Sequence, residues 1–188
     1  MANSFIATEF PGLFIFEPAI FKDDRGYFFE SYNEQTFQQH GFAQRFIQDN
    51  QSFSCYGVIR GLHYQLDPHA QTKLIRVLQG KILDVAVDIR KGSPTYGKSM
   101  SIELSAENKR QFLIPRGFAH GFSVLSETAE VSYKCDGFYN KASEGGIRHD
   151  DPALQIDWQV PAGKALVSPK DLELPVFAAC RNNFQFEG

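Results

Sequence analysis

The sequence predicts an all-β chain, a sandwich or barrel of many short strands, and three observations carry that reading. Short apolar or alternating runs recur from one end to the other, bounded by glycine, proline and asparagine. Eighteen phenylalanines among 188 residues supply the bulk that fills the space between two sheets. Only one segment carries helix signals at both ends.

Taken in order, the first run is 13–16, followed by the aromatic run 27–32. A short helix follows, from the cap-type residue Asn33 to His40, stopped by Gly41, with Phe37 on its inward side. Further strands are expected at 45–50, 57–64 and 74–78. Gln79-Gly80 reads as a hairpin turn into the apolar run 82–89. Lys91-Gly92-Ser93-Pro94 makes a longer connection to 99–104. The run 111–114 leads through Pro115-Arg116-Gly117 to 121–125, and the last strand is 130–135. From Ala153 onward prolines break the pattern, as in segments that wrap a barrel without forming a second core.

This length suits a single domain, 1–188, with one sizeable core. Nineteen lysines and arginines nearly balance twenty-two aspartates and glutamates, for a net charge of −3. Such a field offers no reason to expect a nucleic-acid or membrane partner, so any anion must be met locally. Cys55, Cys135 and Cys180 are widely separated and form no C-x-x-C pair, which suggests free thiols in a reducing compartment. The first twelve residues lack a basic region followed by an apolar run, and no stretch reaches the roughly 18 apolar residues of a membrane span. A cytoplasmic protein is expected.

Strands that face a core should not carry titratable groups without partners. Arg60 and His63 nevertheless interrupt Val58-Ile59-Arg60-Gly61-Leu62-His63-Tyr64, Lys73 and Arg76 flank Leu74-Ile75, and Tyr133-Lys134 end the run from Glu130. Taken singly, each has a plain structural explanation. Jointly, beside Gly61, where a missing side chain lets a ligand approach, they predict a polar cavity in the mouth of a barrel. Pro115-Arg116-Gly117-Phe118-Ala119-His120 adds the P-x-G-x-x-H signature of cupins. Metal-binding cupins pair it with H-x-H and a glutamate; here the earlier stretch reads His63-Tyr64-Gln65, so no metal site can be completed from these positions. No G-x-x-x-x-G-K-[ST] loop or strand-anchored G-x-G-x-x-G is present. Side chains must hold a diphosphate if one binds, and Arg60 and Arg25 have the planar fork suited to it.

Five blocks carry a resemblance: Asp23-Asp24-Arg25-Gly26-Tyr27-Phe28-Phe29-Glu30, Gln48-Asp49-Asn50, Gly57 through Gln65, Asp84 through Arg90, and Ile114 through Phe122. In this order and spacing they resemble the dTDP-4-dehydrorhamnose 3,5-epimerase family, from about Phe10 to Asp171. The resemblance implies a cupin-type jelly roll with short peripheral helices. It implies a homodimer that needs no cofactor and converts dTDP-4-dehydro-6-deoxy-D-glucose to dTDP-4-dehydro-L-rhamnose. It further implies His63 as base, Tyr133 as acid and Asp171 as the carboxylate that orients His63, with Lys73 and His120 beside the ketone oxygen. Arg25, Phe28, Glu30, Gln48, Asn50, Arg60, Glu144 and Lys170 would hold the nucleotide and sugar, and Tyr139 would stack on thymine. Arg116 and Arg148-His149 depart from the family pattern, outside this set.

That chemistry calls for these groups. A proton beside a ketone is weakly acidic, and its removal leaves an enolate whose charge gathers on the ketone oxygen. A histidine partnered by a carboxylate supplies the base. Cationic donors stabilise the oxygen, and inversion needs a separate acid on the opposite face. Rival readings are an epimerase acting on only one of the two carbons, a metal-dependent cupin oxygenase, and a non-catalytic sugar-nucleotide-binding module.

Overall fold

A computed structural model describes residues 2–161 and 163–187; Met1, Ala162 and Gly188, which the expected 1–188 domain includes, lie outside the described residues. In chain order the first strands are β1 (Ser4–Ala7), β2 (Phe14–Glu17), β3 (Phe21–Asp23), β4 (Gly26–Phe28), β5 (Gln48–Cys55), β6 (Val58–Gln65) and β7 (Lys73–Gln79). They continue as β8 (Lys81–Asp88), β9 (Ser99–Ser105), β10 (Gln111–Ile114), β11 (Phe118–Val124), β12 (Thr128–Cys135), β13 (Glu144–Gly146) and β14 (Leu166–Val167). Helix α1 (Glu34–Gln39) and helix α2 (Pro169–Leu172) lie at the periphery. Asn33 caps α1 as the sequence predicts, its side chain accepting from the amides of Gln35 and Thr36.

Two main sheets form, one ordered β1-β2-β10-β7-β12-β5 and the other β13-β6-β11-β8-β9, with β14 added beside β6. From β5 onward the chain mostly steps from one sheet to the other, the alternation of a jelly roll. This corrects one expectation. Gln79-Gly80 is not a hairpin turn, because β7 and β8 belong to different sheets; the turn is a corner. Gly80 has φ +77°, and a Cβ there would lie 2.0 Å from the Thr128 carbonyl oxygen, so the corner packs backbone on backbone. The expected strand 27–32 ends at Phe28, 45–50 begins at Gln48 and runs on to Cys55, and 121–125 begins three residues earlier, at Phe118.

Between the sheets lies an apolar core that includes Ile75, Val77, Phe112, Ile114, Phe118, Phe122 and Val131. A second cluster forms on the outer face of the β6–β11–β8 sheet, where Leu154, Trp158 and Phe184 of the C-terminal segment cover Leu62, Val85 and Ala119. On the outside of the other sheet, Phe37 of α1 packs on Phe16, Leu74 and Leu113. Period-2 alternation therefore points Lys73, Ile75 and Val77 of β7 inward and Leu74 and Arg76 outward. The inward row is apolar at one end of the barrel and polar at the other.

Candidate active site

Arg60 and His63 are three apart, so a regular strand would send them to opposite faces. The pairing of β6 with β11 resolves this: Arg60 lies opposite Phe122 and His63 opposite His120, leaving Gly61 and Leu62 against Gly121 alone. That is a β-bulge, which re-aims side chains. Both Arg60 and His63 then line one cavity of about 660 Å³. Glycines permit it: Gly61 has φ +121°, and a Cβ at Gly61 would stand 2.6 Å from the Gly121 Cα.

His63 Nε2 lies 2.6 Å from Asp171 Oδ1. The carboxylate reaches it because Ser168 caps α2, its hydroxyl accepting from the Asp171 amide at 3.1 Å. The side chain of His63 is 38% exposed and that of Asp171 only 6%. An accessible ring is thus held by a dry carboxylate. Burial pushes the Asp171 carboxyl up, but the hydrogen bond and charge of His63, with the Gly61 amide and Ser168, outweigh it and hold the group below its ordinary range. With the Nε2 proton donated to Asp171, Nδ1 carries the free lone pair.

The facing sheet contributes Lys73 from β7 and Tyr133 from β12 to the same cavity. Burial lowers the Lys73 ammonium, with Cys135 and Asp84 opposing the shift, and burial raises the Tyr133 phenol. His120, from β11, is held at Nε2 by both oxygens of the fully buried Asp84, at 2.9 and 3.1 Å. Burial pushes the His120 imidazole down, and Asp84 pulls the other way. All five residues expected to be catalytic therefore border one space. Among the described residues, no group of three or more His, Cys, Asp or Glu is arranged to hold a metal ion.

The expected binding residues divide. Arg60 and Lys170 line the large cavity. Gln48, Asn50, Tyr139 and Glu144 line an adjoining space of about 360 Å³ that shares His63, Lys73 and Tyr133 with it. Lys170 pairs with Glu144 at 2.7 Å. Arg25, Phe28 and Glu30 border neither space. They sit on or just after the β3–β4 ribbon, where Arg25 pairs with Asp23 and Glu30 accepts from the side chain of Asn33. Arg76 and Lys134, part of the polar cluster expected in the barrel mouth, are corrected too: alternation turns them outward, and Lys134 pairs with Asp49. Two departures from the family pattern are used in surface ion pairs, Arg116 with Asp136 and Arg148 with Asp150.

Sequence reasoning missed three polar residues. Asp84 stands out in the apolar run Ile82-Leu83-Asp84-Val85-Ala86-Val87, a signal that was present. Ser52, whose buried hydroxyl has no hydrogen-bond partner among the described residues, lines the large cavity. Gln65 lies buried at the end of β6. Gln65 was marked in the sequence only as the residue standing where a metal-binding cupin has its second histidine, and Ser52, mid-strand in β5, gave no signal.

This geometry can remove a proton with an oriented imidazole, return one from a phenol, and hold negative charge between. The chain's relatives agree with it. The family model described as dTDP-4-dehydrorhamnose 3,5-epimerase matches residues 7–179. A dTDP-4-dehydrorhamnose 3,5-epimerase of Shigella flexneri is 54% identical over 168 residues, covering 89% of this chain and 92% of that protein. The crystal structure of the Elizabethkingia anophelis enzyme of the same name superposes with a TM-score of 0.91 at 52% identity, over 95% of this chain and 98% of that one. A Legionella pneumophila dTDP-6-deoxy-D-glucose-3,5-epimerase, solved in complex with dTDP-4-keto-L-rhamnose, gives 0.90 at 47% identity over 94% of both chains. With its dyad, bulge and facing phenol in one jelly roll, and with likeness over nearly its whole length, this chain belongs to the dTDP-4-dehydrorhamnose 3,5-epimerase family.

Proposed function

We propose that this protein epimerises dTDP-4-dehydro-6-deoxy-D-glucose at carbons 3 and 5, giving dTDP-4-dehydro-L-rhamnose. The observation that carries the reading is the His63–Asp171 pair on one wall of a cavity whose opposite wall holds Tyr133 and Lys73. His63 Nδ1 takes the proton beside the ketone, and Asp171 stabilises the imidazolium that results. Negative charge collects on the ketone oxygen, where Lys73 supplies a donor and His120, its Nε2 bonded to Asp84, lies beside it. Tyr133 delivers a proton to the opposite face, which inverts the carbon. Proton exchange with solvent then returns the imidazolium and the phenolate to imidazole and phenol, so the net reaction is an isomerisation that needs neither a redox partner nor a cofactor.

Arg60 and Lys170 provide the cationic contacts for the diphosphate, and the free hydroxyl of Ser52 adds a donor. Tyr139, exposed beside Gln48 and Glu144, offers a ring for thymine. The working form is a homodimer. The β3–β4 ribbon has no core of its own, exposes Phe21, Tyr27 and Phe28, and carries Arg25, Phe28 and Glu30 away from the cavity of its own chain. A second copy gives that apolar ribbon a surface to cover, and gives those residues a site to serve. Among the described residues no helix is long and apolar enough to cross a membrane. Free Cys55, Cys135 and Cys180 suit the reducing cytoplasm, where we place the enzyme.

The direct test is proton NMR of the dTDP-keto-sugar in deuterium oxide. The hydrogens on carbons 3 and 5 should both exchange with the wild-type protein. In His63→Asn and Tyr133→Phe, turnover should fall by about 10²- to 10⁴-fold with nucleotide binding kept. Near-wild-type turnover in both variants would overturn the assignment.

A further inference from the structure

The loop between β12 and β13 carries Phe138 and Tyr139, both exposed, with little apolar burial to hold it. Its backbone is gripped from outside. Gln71 Nε2 donates to the Gly137 carbonyl at 2.7 Å. Gln65 Nε2 donates to the Phe138 carbonyl at 3.3 Å and to the His69 carbonyl at 2.7 Å, while Gln65 Oε1 accepts from the Asn140 amide at 2.6 Å. Gln48 Oε1 accepts from the Tyr139 amide at 3.1 Å. Four consecutive residues are thus fixed by three glutamines, drawn from β5, β6 and the connection between β6 and β7.

We propose that Gln65 and Gln71 are positioning residues for nucleotide recognition: with Gln48 they form a clamp that pre-sets the Tyr139 ring for the nucleobase. The inference rests on the stacking role given to Tyr139 above. A carboxamide suits the task because it donates and accepts at one site, and Gln65 uses both ends on one loop. At 6% exposure, Gln65 makes these bonds away from competing water. Its side chain is also the group standing where a metal-binding cupin would place a second histidine; here the position is used to hold a loop. Ordering that loop before the ligand arrives removes an entropic cost from binding, so the clamp acts on affinity and leaves the proton transfers to His63 and Tyr133. The amides of Gln48 and Asn50 extend the chain inward: Gln48 Nε2 donates to Asn50 Oδ1 at 3.1 Å, and Asn50 Nδ2 donates to Cys135 Sγ at 3.6 Å.

The test is a double-mutant cycle read by calorimetric binding of dTDP and by steady-state kinetics. Gln65→Met should weaken dTDP binding and raise KM by about tenfold while kcat stays within about twofold. In a Tyr139→Ala background the same substitution should change dTDP affinity by less than about twofold, because the two act through one contact. Gln71→Leu, at a less buried position, should give the same pattern more weakly, and serves if Gln65→Met fails to fold. Losses that multiply in the double variant, or a fall in kcat matching that in kcat/KM, would overturn the clamp. So would unchanged dTDP affinity in Tyr139→Ala. Because dTDP binding is read without turnover, a protein that binds dTDP through this cycle but epimerises nothing upholds the clamp and refutes only the catalytic reading.

Discussion

Substituting Asp171 by asparagine separates two consequences of one buried carboxylate. The amide can still bond the imidazole, yet it no longer stabilises the charge that His63 acquires, so kcat should fall by at least about a hundredfold. The second consequence concerns acid. Asp171 titrates below its ordinary value of 3.8 in the folded chain, so the unfolded chain takes up the proton more readily as pH falls. Its stabilising contribution is complete above about pH 4 and is lost as pH drops through the lower folded value. Urea midpoints measured from pH 7 to pH 3 should therefore fall less steeply in Asp171→Asn than in the wild type; parallel curves would refute the linkage. At this scale much of the site was legible in the sequence. His63 and His120 interrupt apolar runs, while Lys73 flanks one and Tyr133 stands at the end of another, and a core strand does not carry such groups without reason. Asp84 interrupts one equally, yet its role depends on the partner strand that brings His120 against it, and strand pairing is not written in periodicity.

Strand β6 shows what periodicity hides. Alternation alone puts Arg60 and His63 on opposite faces, and only the extra residue at Gly61–Leu62 brings them together. Gly61→Ala should cost roughly 2–4 kcal/mol by urea denaturation and abolish turnover, since the added methyl meets the Gly121 backbone and the positive φ is strained. Gly92→Ala, also at positive φ but with open space around it, should cost only about 1 kcal/mol and spare activity. Equal losses in the two variants would mean that strain, and not the close approach of β6 to β11, governs the bulge. The same limit explains the misread corner at Gly80. A glycine between two β runs signals a sharp turn, but whether the chain returns beside itself or crosses to the other sheet is decided by long-range packing. The helix was legible because its signals, Asn33, Phe37 and Gly41, are local.

For the molecule as a whole, the separation of Arg25, Phe28 and Glu30 from the cavity is the feature the single chain does not explain. Phe28 is 67% exposed on a two-stranded ribbon that buries nothing, and an apolar surface of this kind is ordinarily covered. On the proposed homodimer, Phe21→Ser combined with Phe28→Ser should shift the protein toward monomer in sedimentation velocity and lower turnover, with the melting of the main sheets little changed. A double variant that stays dimeric would show that another face joins the copies. The family blocks made the jelly roll and its chemistry readable, whereas the role proposed for the ribbon was not, because a surface that would pair with a second copy reads like any other hydrophobic strand. One last consequence follows from the linkage of His63 to a carboxylate 108 positions later in the chain. During synthesis the imidazole leaves the ribosome long before α2 is made, and the wall that will face it is still incomplete until β12 has been added. A chain terminated before α2 should therefore lack the carboxylate that orients His63, and one terminated before β12 should lack Tyr133 as well.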